Sequence, residues 1–138
     1  MTGVVLDASM TIAWLFEDER TDAALDVLNQ VIGQGARVPA IWTLEVANVL
    51  RNAARKGRCD EAFVDESLAS LARLPIATDG ETDLHAWAET LTLSREEGLT
   101  LYDSAYLELA VRNGLPLATG DRQLAAAAQR HAIMVLKP

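Results

Sequence analysis

Cysteine is almost absent. Cys59 is the only one in 138 residues, so no disulfide can form within the chain and the fold has to hold by packing. That usage fits a reducing cytosol, and a cytoplasmic location is expected. Positive charge is scarce too: 12 Lys and Arg stand against 20 Asp and Glu, a formal charge of −8. Affinity for phosphate backbones comes from cations that displace counterions, so a general nucleic-acid binder is disfavoured. His85 and His131 are the two histidines, too isolated to support a mechanism built on a histidine pair. Neither Ser9 nor Ser104 lies in the Gly-x-Ser-x-Gly elbow of a serine hydrolase. Long apolar runs are missing, because charges interrupt every stretch before the ~18 residues a membrane span needs, and Met1-Thr2-Gly3 carries no basic export flank. No membrane partner is expected.

At this length a single domain over residues 1–138 is expected, burying roughly two thirds of its unfolded surface. Val4-Val5-Leu6 is apolar on both faces, as in the middle of a parallel sheet covered by helices, and it ends abruptly in Asp7-Ala8-Ser9. Ligands of such sheets gather beyond the carboxyl ends of the strands. The spacing then predicts helices over Ala8–Phe16, Thr21–Ile32 with Gly33 and Gly35 as stops, Thr43–Lys56, Glu61–Leu74, Thr82–Glu97, Leu101–Asn113 and Asp121 to about Arg130. Short strands are predicted at Arg37-Val38, Ile76–Thr78, Leu115–Thr119 and Ile133–Leu136. This alternation implies a three-layer α/β/α sandwich around a mainly parallel sheet of about five short strands.

Asp7 and Asp121 stand at predicted strand tips, and Glu45 and Asp103 in first helical turns. Each of the last three has a structural reading. Glu45 complements a helix dipole, Asp103 follows Thr100 in a variant capping box, and Asp121 suits an N-cap. Asp7 has no such excuse, since a buried unpaired carboxylate must be neutralised or meet a cation. Asp103 also shares a helix face with Tyr106, Leu107 and Ala110, the inward side. If strand tips and helix starts meet at one sheet edge, the four acids converge there. An oxygen-rich cluster of this kind suits Mg²⁺ or Mn²⁺ with waters completing the shell, and the fitting chemistry is phosphodiester hydrolysis.

The chain resembles PIN domains, most closely the VapC toxins of toxin-antitoxin pairs. The resemblance rests on Val4-Val5-Leu6-Asp7-Ala8-Ser9, Leu44-Glu45-Val46-Ala47-Asn48-Val49-Leu50, Leu101-Tyr102-Asp103-Ser104-Ala105-Tyr106 and Pro116-Leu117-Ala118-Thr119-Gly120-Asp121-Arg122 in that order. It implies a metal-dependent ribonuclease whose catalytic acids are Asp7, Glu45, Asp103 and Asp121, with Asp7, Asp103 and Asp121 anchoring the metal. Ser9 and Thr119 fall on hydroxyl positions that order water or phosphate, and Asn48 on a polar position one turn beyond the glutamate. It further implies a homodimer silenced by an antitoxin whose basic tail enters the acidic groove. The acidity of the chain favours a particular folded RNA as substrate, or a narrow recognition site.

Arg51, Arg55, Lys56 and Arg58 form the one concentrated basic stretch and, with Arg122, are candidates for holding RNA phosphates beside the reading of a solvated helix face. Trp14, Trp42 and Trp87 read as core or subunit-interface residues. A receiver-like signalling domain with Asp7 as phosphoacceptor is an alternative, although it lacks the acidic pair and the later strand-tip lysine of receivers. A catalytically silent relative that only binds is another.

Overall fold

Val4, Val5 and Leu6 form β1 (Val4–Leu6) and expose nothing to solvent. The computed structural model describes residues 3–138, and the Met1-Thr2 pair read above for an export flank lies outside the described residues. On one side β1 pairs with β2 (Ala36–Val38), which pairs with β3 (Ile76–Thr78). On the other it pairs with β4 (Leu117–Ala118), which pairs with β5 (Val135–Leu136). All pairings are parallel, in the order β3-β2-β1-β4-β5. β1 is thus buried on both faces and both edges, which explains why its sequence is apolar without alternation.

Between β1 and β2 lie α1 (Ala8–Leu15) and α2 (Asp22–Gln34), joined by a 3-10 turn at Glu17–Glu19. Between β2 and β3 come α3 (Trp42–Arg55) and α4 (Glu61–Ala72). The return path to β4 carries α5 (Thr82–His85), α6 (Glu89–Glu97) and α7 (Leu101–Asn113), and α8 (Arg122–Arg130) joins β4 to β5. Right-handed crossovers put α1–α4 on one face and the later helices on the other. The packing divides the same way: α1 against α2 and α3, α3 against α4, and α7 against α5, α6 and α8. Thr21, Asp60, Thr100 and Asp121 each cap a helix by accepting a backbone N–H three residues on, worth about 1 kcal/mol apiece.

Because the chain leaves β1 in one direction and β4 in the other, the crevice between their tips is the topological switch point. Asp7 follows one tip and Thr119-Gly120-Asp121 the other. The receiver-like alternative fails here, since such sheets run 2-1-3-4-5.

The structure corrects several element readings. α2 runs through Gly33 to Gln34 and stops at Gly35, whose φ of 83° suits glycine. The terminal strands are shorter than predicted. Pro116 has no N–H to pair, and the turn after α8 diverts Ile133 N–H to the Ala128 carbonyl. Thr82–Glu97 is two helices, not one, broken at residues 86–88. There His85 turns toward Glu89 and Glu108, and this tertiary contact outweighs a weak helical periodicity. Trp87 lies in the break, 91% exposed, so only Trp14 and Trp42 are core.

Candidate active site

Asp7 occupies the N-cap of α1, yet its side chain makes no capping bond. It is 94% buried, and its Oδ2 accepts from Ser9 Oγ at 2.6 Å and Thr119 Oγ1 at 2.7 Å. Thr119 Oγ1 also accepts the Asp121 N–H at 3.0 Å, and Ser9 Oγ the Gly120 N–H at 2.9 Å. These bonds lock the tips of β1 and β4 together. Asp121 has both of the properties read from the sequence: its Oδ1 caps α8 through Leu124 N–H at 2.9 Å, and its charge acts on Asp7 and Asp103.

Glu45, in the first turn of α3, is half-buried and its Oε1 accepts from Tyr106 Oη at 2.5 Å. Tyr106 is fully buried on α7, one turn after Asp103. The inward face projected for Asp103 therefore exists, and it also carries the phenol that orients Glu45. Thr11 completes the frame by donating to the Asp7 carbonyl at 3.2 Å and accepting Trp42 Nε1–H at 3.1 Å, which ties α1 to the start of α3. Sequence reasoning passed over Tyr106 and Thr11 as partners. The signal for Tyr106 was its position one turn from an inward-facing acid, while Thr11 gave none.

Asp7, Glu45 and Asp103 form one electrostatic neighbourhood with Asp121. Burial first, then the charge of Asp121, pushes the Asp7 carboxyl above the usual range, against the hydrogen bonds of Ser9 and Thr119. Burial likewise raises Glu45, with Asp7 and Asp103 adding to it and Tyr106 opposing. Asp103 is raised by burial and by the charges of Asp7 and Asp121. None of the three has a cation among the causes of its shift. Such a donor set fits a hard divalent cation in chemistry. Among the described residues, however, no three His, Cys, Asp or Glu side chains stand close enough to hold an ion together. The arrangement suits an ion that keeps much of its water and takes one or two carboxylates directly, as Mg²⁺ does.

The other sequence candidates separate. Asn48 is exposed on α3. Arg51, Arg55, Lys56 and Arg58 do not form one free basic surface, because α3 ends at Arg55 and Gly57 turns the chain. Arg58 bonds Asp18 and Glu19 at 2.8 Å and lies 3.7 Å above the Phe16 ring, and Arg51 faces Glu61 at 3.6 Å. Arg55, Lys56 and Arg122 are exposed. A second polar cluster went unread: Arg112 bonds Asp79 at 2.6 Å and Glu108 at 2.7 Å, and both acids are buried. A cavity of about 640 Å³ beside it, lined by His85, Glu89 and Arg112, lies apart from the four carboxylates.

Residues 4–130 match the PIN domain family. Over 124 residues the chain is 34% identical to Ribonuclease VapC3 of Mycobacterium tuberculosis, covering 90% of this chain and 86% of that protein. It is 34% identical over 126 residues to Ribonuclease VapC3 of Pyrobaculum aerophilum, covering 88% and 92%. The crystal structure of PAE2754 from Pyrobaculum aerophilum aligns with a TM-score of 0.66 at 25% identity, over 98% of this chain and 90% of that one. VapBC2 from Rickettsia felis, bound to a DNA fragment from their promoter, aligns with a TM-score of 0.64 over 99% of both chains; at 14% identity this is a likeness of fold. With its switch-point acids, its sheet order and these relatives, the chain belongs to the PIN domain family.

Proposed function

We propose that the protein is a metal-dependent endoribonuclease and the toxin of a type II toxin-antitoxin pair. The observation that carries this reading is Asp7: a buried carboxylate at an N-cap position that does not cap, held by Ser9 and Thr119 among three further acids. A buried acid cluster without a counter-charge weakens a fold, so its retention calls for a cationic ligand. Relatives named ribonucleases support RNA as substrate.

Asp7, Asp103 and Asp121 would hold Mg²⁺ or Mn²⁺, one or two of them directly and the rest through its waters, and the ion when bound supplies an activated water and offsets charge on the phosphorus oxygens. Ser9 and Thr119 fix the Asp7 carboxylate through its Oδ2. Glu45, oriented by Tyr106 and with its affinity for protons raised by burial, takes the proton of the attacking water. Asn48 reaches substrate from the same helix. Attack by water rather than by the ribose 2′-hydroxyl leaves a 5′-phosphate and a 3′-hydroxyl.

A single cytoplasmic domain acting as a homodimer, and a cognate antitoxin whose basic tail enters the acidic crevice, complete the reading. Net charge supports the tail, and the exposed Leu84, Trp87 and Val111 support the dimer. No helix of the described residues is long and apolar enough to cross a membrane. The test is cleavage of structured RNAs with Mg²⁺ and with chelator. Asp7→Asn is expected to abolish cleavage with the fold retained, and full Mg²⁺-dependent activity in that variant would overturn the assignment.

A further inference from the structure

We infer that Arg122, Gln129 and Lys137 form a binding site for a backbone phosphate next to the scissile one, so that the RNA leaves the four acids along the groove between α8 and the end of β5. This rests on the nuclease reading and adds the path of the substrate. Since all five strands are parallel, their carboxyl tips share one edge. β1 delivers Asp7 there and β4 delivers Asp121, and β5 delivers Lys137 in the same way. Asp121 then opens α8, which places Arg122 at its first position and Gln129 two turns later on the same side.

Arg122, Gln129 and Lys137 line one cleft of about 350 Å³ together with Thr119 and Asp121. Ala125 and Ala126 form its floor and leave room for a ligand. All three polar side chains are exposed. Arg58 is engaged by Asp18 and Glu19, Arg112 by Asp79 and Glu108, Arg130 by Glu97, and Arg20 by the Trp14 carbonyl, and of the exposed cations left over Arg122 and Lys137 are the pair that lines the cleft with Asp121. Among the described residues neither Arg122 nor Lys137 has an ion-pair partner. Two free cations in a cleft shared with a catalytic acid are placed for an anion that carries the reacting group.

The alternative path offers no cation. Pro138 lies against Gly120, where an added Cβ would stand 3.3 Å from Pro138 Cγ, and the pair lines the clefts on both sides of this contact. Beyond it a second cleft of about 460 Å³ is lined by Ser9, Glu19 and Asp121 and has no cation. Glu19 is paired with Arg58, so that side offers no free cation, and a polyanion is drawn to the Arg122 and Lys137 side.

The test is binding, which does not depend on cleavage. A fluorescein-labelled RNA hairpin with single-stranded flanks is titrated at several salt concentrations in Mg²⁺, with Asp7→Asn protein so that the probe stays intact. Each phosphate contact contributes about 0.7–0.9 to the slope of log K against log salt. R122Q/K137Q, which empties this single phosphate site, is expected to lower that slope by about 0.7–0.9, whereas R73Q, which removes a cation beyond the opposite end of the strands, leaves it unchanged. In otherwise wild-type protein, R122Q/K137Q is expected to raise KM at least fivefold with kcat retained. An unchanged slope in R122Q/K137Q, or an equal loss in R73Q, overturns the groove and leaves the nuclease reading intact. A wild-type protein that cleaves no RNA removes the nuclease reading, while the binding slope still judges the groove.

Discussion

Tyr106 donates to Glu45 from a position 61 residues away in sequence and opposes the rise in its proton affinity. Burial raises the Glu45 carboxyl and the phenol lowers it in part, so Tyr106→Phe removes a restraint and moves Glu45 further up. Glu45 must be ionised to accept a proton, so the acidic limb of the kcat/KM profile shifts to higher pH and the alkaline limb stays in place. A pH-rate profile of the variant checks this; an unmoved acidic limb would deny Glu45 the role of base. Asp7→Asn has a second consequence besides lost cleavage. It removes a buried charge repelled by Asp121, while its amide oxygen still accepts from Ser9 and Thr119. In metal-free buffer its melting temperature is expected to rise by a few degrees, since 1 kcal/mol is worth about 2–8 °C at this size. Asp7 was legible in the sequence because a carboxylate that ends an unbroken apolar strand has no structural use. Tyr106 was legible as an inward neighbour of Asp103 but not as the partner of Glu45, because a buried tyrosine on a helix face reads as core whether or not its hydroxyl has a partner.

At the scale of elements, the joint between β3 and α7 depends on Arg112. Its guanidinium bonds Asp79 and Glu108, both almost fully buried. Removing one partner of a buried ion pair leaves an uncompensated charge, at a cost of about 3–5 kcal/mol. Arg112→Met is expected to lower the denaturant midpoint accordingly, with m unchanged. Burial alone would raise the Asp79 carboxyl, but Arg112 prevails and holds it below its ordinary value. A depressed folded-state pKa gives stability that is present above the unfolded value of 3.8 and lost as pH falls through the folded one. Wild-type protein should therefore lose stability in acid more steeply than Arg112→Met, which denaturant melts at pH 7 and pH 3 would compare. Helix starts were readable because Thr21, Asp60, Thr100 and Asp121 cap locally. The break at residues 86–88 was hidden, since His85 is drawn to Glu108, a residue distant in sequence.

At the scale of the whole molecule, an ion that binds only where strand tips and helix starts meet stabilises the folded state alone. Saturation at 100 times its dissociation constant corresponds to about 2.7 kcal/mol. Mg²⁺ is expected to raise the melting temperature of wild-type protein, chelator to reverse it, and Asp103→Asn to abolish most of the effect. A melting temperature indifferent to Mg²⁺ and Mn²⁺ would remove the metal from the reading.

Alternation of apolar strands with capped amphipathic helices is a local property, so the sequence by itself determined the α/β/α class and most of the helix starts. It also marked Asp7, Glu45, Asp103 and Asp121, because each sits where a local pattern changes. Which side chains meet was decided only by tertiary structure. The strand order brings the tips of β1 and β4 together, the packing of α7 presents Tyr106 to Glu45, and the turn after α3 sends Arg58 to Asp18 rather than into an open basic face. Hydrogen bonds and ion pairs act over a few ångströms of space, and that distance is fixed by the fold and not by separation along the chain.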